Sequence, residues 1–243
     1  MLANSFTRTI KVLGLSLWVI FGVTLGQVIA SILIVALPIQ FNATVEATVS
    51  AALGYVFAIA ITVGLPLLIR KNRPDFTLLG INRLPSWSDI GLGILALLPY
   101  LLLASAVLWL GTDVFTLIDT KVGQQISFTN LYSRSEYILA FLTLVVIAPL
   151  AEEFLFRGYF QGAVTKKAGK ILGVIVVAVV FGLFHLPGFT AHGVVWQWAA
   201  AADTFSLGII VGVLRLLTGG IWAGVILHAL KNGIAYYFLF IAR

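Results

Sequence analysis

Seven apolar segments divide the chain, near 12–39, 47–69, 88–111, 136–163, 171–190, 195–217 and 220–241, with polar or basic connections between them. A helix needs roughly 20 apolar residues to cross a hydrocarbon core of about 30 Å. The fifth and seventh segments sit near that minimum. The first and fourth are long enough to tilt, kink or emerge from the bilayer. The Leu, Ile and Val runs lack the in–out alternation of a barrel strand of about ten residues, so helices are predicted. The expected fold is all-α: a polytopic membrane helix bundle of about seven transmembrane helices, with eight possible. It forms one integral membrane domain over 1–243, with N-terminal spans in 1–111 and a core in 136–240. The first apolar run follows Arg8 and Lys11 and is too long for the core of a cleavable signal, so it reads as an uncleaved span. No internal repeat points to the inverted halves of many transporters.

Composition agrees with this pattern. The 243 residues are 60% hydrophobic and only 10% charged, with mean hydropathy +1.08, whereas a soluble domain is about a quarter charged. The lipid bilayer is the expected solvent for most of the surface. The chain has no cysteine, which excludes a disulfide frame, a thiolate nucleophile and a cysteine-based metal site. The net charge of +6 is read as topology-setting loop charge. No basic run interleaved with aromatics suggests a nucleic-acid partner. With the N-terminus in the cytoplasm, Arg8, Lys11, Arg70, Lys71, Arg73, Arg83, Arg157, Lys166, Lys167, Lys170 and Arg215 fall on the inner side. Lys121, Arg134 and Arg243 fall outside. This bias predicts N-in, C-out in the plasma membrane. Trp87, Trp109, Trp196 and Trp198 occupy expected interfacial positions. Two connections are long: 70–89 on the inner side and about 112–135 on the outer.

Ionisable residues inside membrane spans are rare and mark function. Here they are Glu152, Glu153, His185, Asp203, His228 and Lys231, with Arg157 one turn beyond the glutamates and Asn232 as an added amide. At 1.5 Å rise per residue, Glu152 stands about 21 Å from Lys166 and His185 about 21 Å from Ile171, on adjacent antiparallel helices. Above the turn at 218–220, Asp203 lies at about 22 Å, His228 at about 13 Å and Asn232 at about 19 Å. The polar groups therefore share one slab. Glu153 and Arg157 are i,i+4 and can pair, while Glu152 points about 100° away and lacks such a partner. An unpaired carboxyl beside a histidine suits general acid–base work on water. His228 and Asn232, again i,i+4, can donate to a developing oxyanion. Pro149 removes one backbone hydrogen bond and should kink the fourth helix near Val145.

Taken singly, each residue has a plainer reading. A lone membrane histidine or asparagine commonly bonds helix to helix. Asp203 and Lys231 are expected to form a neutralising ion pair, and His192 is expected to be solvated in an outer loop. Glu152, His185 and His228 could in principle ligate zinc. However, HExxH is absent, as are the Gly-x-Ser-Gly and Gly-x-Gly-Asp motifs of serine and aspartyl intramembrane proteases. No metal and no cofactor is expected.

The pattern Glu152-Glu153-x-x-x-Arg157, Phe181-x-x-x-His185 and His228-x-x-x-Asn232 resembles the CAAX-protease and bacteriocin-processing family of intramembrane glutamic endopeptidases, also called ABI or Rce1-like. The resemblance is firmest over 136–240. It implies that Glu152 and His185 activate water, that His228 and Asn232 form an oxyanion hole, and that Glu153 and Arg157 support them. The implied partner is a membrane-embedded or lipidated peptide substrate. Some relatives instead act as immunity or regulatory proteins, which leaves a non-catalytic peptide-binding role as the alternative.

Overall fold

The computed structural model describes residues 2–190 and 193–242; His192 and Arg243, assigned above to the outer side, lie outside the described residues. Among the described residues there are eight helices and one hairpin. They are α1 (Leu2–Ala36), α2 (Ala43–Arg70), α3 (Phe76–Leu79), α4 (Trp87–Val114), α5 (Arg134–Ala168), α6 (Lys170–Phe184), β1 (Pro187–Thr190), β2 (Gly193–Trp196), α7 (Trp198–Thr218) and α8 (Trp222–Ile241). The helices α1, α2, α4, α5, α7 and α8 are long and apolar enough to cross a bilayer, and α6 is apolar but has 15 residues. The chain is thus an all-α integral membrane bundle. Its outer surface exposes Leu13, Leu17, Leu68, Leu98, Leu102 and Phe238, and its centre buries Leu155, Phe160, Phe181, Val211 and Leu227.

Local chemistry sets the ends of these elements. Pro38 follows the end of α1, and Asn42 Oδ1 caps α2 by accepting from the Val45 N–H at 2.8 Å. Ser86 with Asp89 and Ser133 with Glu136 form capping boxes that start α4 and α5. Asp89 is fully buried and also receives Arg83 at 2.8 Å. Gly219 ends α7 at φ +69°, a conformation that costs glycine little.

One predicted span needs correction. The fifth segment is not helical to 190: α6 ends at Phe184, and Pro187–Thr190 and Gly193–Trp196 pair as antiparallel strands, Pro187 with Trp196 and Thr190 with Gly193. Pro187 excludes a continuing helix. Fifteen helical residues span only about 22 Å, short of a hydrocarbon core of about 30 Å. Likewise the next helix begins at Trp198, not 195.

Close backbone approach locks the bundle. Gly26 of α1 lies against the backbone of Ala58 in α2, and Gly208 of α7 against Ala178 in α6, with no room for a Cβ at either glycine. The basic connections gather at one end. Arg215 of α7 donates to the carbonyls of Leu78 (2.9 Å), Arg157 (3.4 Å) and Gly219, and Trp222 Nε1 donates to the Arg83 carbonyl at 2.7 Å. At the other end Gln197 Oε1 accepts from the Gln125 N–H at 2.6 Å, while Gln125 Oε1 accepts from the Phe189 N–H at 2.7 Å. The long 115–133 connection is thereby stitched to the hairpin.

Arg215→Lys keeps the charge but cannot span these carbonyls. A lowered melting temperature in detergent is expected, equivalent to about 1.5–3 kcal/mol.

Candidate active site

Helix α5 carries the two glutamates between two widened π segments, Leu142–Ile147 and Phe154–Gln161. Such segments interrupt the α register and cluster at functional sites. Pro149 accounts for the first. In the π register the Ala148 N–H bonds to the Thr143 carbonyl, so the next donor, owed to Leu144, would come from residue 149. Proline has no N–H to give. Asn232 of α8 fills the gap: its Nδ2 donates to the Leu144 carbonyl at 2.8 Å. The kink expected at Pro149 is therefore realised as a π segment, and the carbonyl it releases holds a predicted site residue.

His185 is held by a related device. It is the first residue beyond α6, not part of the span itself. The chain tightens there, and the His185 N–H bonds to Gly182 at 3.0 Å instead of Phe181. The Phe181 carbonyl then accepts from the His185 ring Nδ1 at 3.0 Å. That bond assigns the ring proton to Nδ1 and leaves Nε2 as the available base. The His185 and His228 rings both stand edge-on to the Phe181 ring, with centroids 5.1 and 6.0 Å away.

The two glutamates meet His228 from opposite sides. Glu153 Oε1 accepts from His228 Nδ1 at 3.1 Å, and Glu152 Oε2 stands 3.8 Å from His228 Nε2. Glu153 is fully buried and also lies 3.3 Å from Arg157, the i,i+4 pair expected from sequence. Arg157 is equally buried, with its guanidinium 4.3 Å from the centroid of the Phe181 ring. This combination compensates a cation whose nitrogens make no hydrogen bond among the described residues. Gly224 of α8 leaves the space that Glu153 occupies; a Cβ there would come within 3.1 Å of Oε2.

The expectation that Glu152 stands without a partner is corrected in one respect. No cation on its own helix holds it, but Tyr55 of α2 donates its hydroxyl to Glu152 Oε1 at 2.5 Å. Nothing in the sequence flagged Tyr55, because a tyrosine in an apolar span carries no charge at neutral pH. A second such pair lies nearby: Tyr100 of α4 donates to Asp203 Oδ1 at 2.5 Å, and Asp203 Oδ2 pairs with Lys231 Nζ at 3.0 Å. That ion pair was expected, whereas Tyr100 was not.

The predicted pairing of His228 and Asn232 is only partly open for chemistry. Both lie on α8, but one N–H of each is already engaged, by Glu153 and by Leu144. His228 Nε2 and the second N–H of the Asn232 amide remain. Among the described residues no group of three or more His, Cys, Asp or Glu side chains is arranged to hold a metal ion.

Residues 134–234 match the family described as type II CAAX prenyl endopeptidase Rce1-like. An Escherichia coli protein described as an uncharacterized 24.3 kDa protein is 31% identical over 136 residues, which covers 54% of this chain and 58% of that protein. The match therefore reaches less than two thirds of the relative's length. No solved structure matches.

The link between Pro149, Leu144 and Asn232 can be measured by a double-mutant cycle. Asn232→Ala should cost about 1–3 kcal/mol of stability by stranding the half-buried Leu144 carbonyl. The cost should shrink in a Pro149→Ala background, where the backbone regains its donor.

Proposed function

With residues 134–234 Rce1-like, we propose that the chain is an intramembrane endopeptidase that hydrolyses a peptide bond of a membrane-embedded or lipidated peptide. The observation that carries this reading is the convergence of α5, α8 and the end of α6 on one polar centre, where Glu152 Oε2 faces His228 Nε2 at 3.8 Å and His185, held through Nδ1, keeps Nε2 as the available base. Glu152 and His185 activate water. Glu152 takes its proton, the hydroxide adds to the scissile carbonyl carbon, and the resulting oxyanion accepts hydrogen bonds from His228 Nε2 and the free Asn232 N–H. Collapse of the intermediate breaks the C–N bond, and Glu152 returns the proton to the leaving nitrogen.

This division of labour sets a charge requirement. With Nδ1–H on Glu153, His228 donates from Nε2 only as the imidazolium. The set then balances: Glu152, Glu153 and Asp203 against Arg157, Lys231 and His228. Such neutrality suits a polar cluster inside a bilayer. Glu153 and Arg157 act as supports, and no cofactor enters the scheme.

The proposed orientation places the basic end, with Arg83, Lys166 and Arg215, in the cytoplasm, and the hairpin end outside. The native chain lacks cysteine, so a single cysteine at Lys121 should label with a membrane-impermeant maleimide in intact cells, and one at Lys167 should not.

Glu152→Gln is expected to lower turnover at least about a thousandfold while the protein still folds, and His185→Ala to do likewise. The assay uses proteoliposomes and a quenched peptide carrying a prenylated cysteine four residues from its C-terminus. Cleavage should persist in EDTA or 1,10-phenanthroline. Full cleavage by Glu152→Gln would overturn the assignment.

A further inference from the structure

Tyr55 lies about eighty residues before the segment that matches the family, yet its hydroxyl reaches Glu152 at 2.5 Å. Its helix is held firmly enough for this contact to have a fixed geometry. On one side α2 packs backbone to backbone on α1, with Gly26 against Ala58 and Gly54 beneath the amide of Gln27. On the other side it docks on α5 through Thr143 Oγ1 and Thr48 Oγ1 at 3.2 Å. The two docking points advance in the same direction, 48 with 143 and 55 with 152, so the helices run parallel. Seven residues on α2 match nine on α5, consistent with the π segment adding residues with little rise.

We propose that Tyr55 is a positioning residue for Glu152. It occupies Oε1 as a hydrogen-bond donor and turns Oε2 toward His228 Nε2. A carboxylate on an isolated helix can rotate about three side-chain bonds, and neither Glu153 nor Arg157 restrains Glu152. Tyr55 supplies the missing restraint. One oxygen is held and the other is presented to the reacting centre, as binding and catalytic carboxylates require. The inference rests on the endopeptidase reading for its consequence, but not for its geometry. It also implies that the 134–234 segment does not hold a complete site, because α2 contributes a member.

The test is Tyr55→Phe, which deletes only the hydroxyl, measured two ways in the full-length protein in liposomes. The first readout is cleavage of the prenylated quenched peptide. With Tyr55→Phe, kcat should fall about 10- to 100-fold with KM within about twofold of the parent, because the lost interaction orients the acid–base group and does not bind substrate. The second readout is the infrared carboxyl band of Glu152, assigned as the band that disappears in Glu152→Gln. Tyr55→Phe should shift this band, and Tyr100→Phe, which loses the bond to Asp203, should leave it in place. An unmoved Glu152 band, or an unmoved kcat in a cleaving enzyme, overturns the proposal. A fall in melting temperature with KM and kcat changing together would assign Tyr55 to packing and also overturn it. Should the parent protein fail to cleave, the endopeptidase reading falls, and the infrared band alone then decides whether Tyr55 holds Glu152. If Tyr55→Phe does not fold, 3-fluorotyrosine at position 55, a stronger donor, must move the band in the sense opposite to loss of the bond, and no movement refutes the contact.

Discussion

The site depends on the carboxylate of Glu153. It is fully buried, and a single oxygen meets both Arg157 of its own helix at 3.3 Å and His228 of α8 at 3.1 Å. Burying a carboxylate without compensation is prohibitive, so this group ties its neighbours together. Through His228 it fixes the rotation of α8. Through Arg157, whose guanidinium rests on Phe181, it reaches α6. The three helices that supply the proposed catalytic groups meet at this one charge. Glu152, its neighbour in sequence, is then free to face the reacting centre.

A second constraint is that lipid offers no hydrogen bonds to a stranded backbone group. Helix irregularities must therefore be answered from within the protein. At two of them the answer comes from residues proposed to do chemistry. Pro149 and the π segment before it leave the Leu144 carbonyl to Asn232, and the early close of α6 leaves the Phe181 carbonyl to His185. Each irregularity selects a rotamer for a side chain that would otherwise be loosely held. Backbone satisfaction and site preorganisation are the same contacts.

Much of this was readable before the fold was known. The membrane class follows from unbroken apolar runs with so little charge. The Glu153–Arg157 and Asp203–Lys231 pairs follow from helical spacing and depth. Partners arriving from distant parts of the chain without charge were not readable. Tyr55 and Tyr100 sit in apolar stretches and look like interfacial or core aromatics. The strand pair Pro187–Thr190 and Gly193–Trp196 was hidden because its apolar residues continue the hydropathy of α6, and the dipeptide Pro187-Gly188 marks the break.

The sequence alone determined which segments leave water and which side chains are charged within them, because transfer of apolar and ionised groups is governed by composition and local spacing. It also determined that Glu152 and Glu153 face different directions, which helical geometry imposes. Only the tertiary structure decided which atoms meet: that His228 spends Nδ1 on Glu153, that Asn232 spends one N–H on Leu144, and that α2 brings a hydroxyl to Glu152. Those outcomes depend on helix rotation and on π turns that shift the register. Both are set by packing against neighbours tens of residues away, which no local pattern encodes.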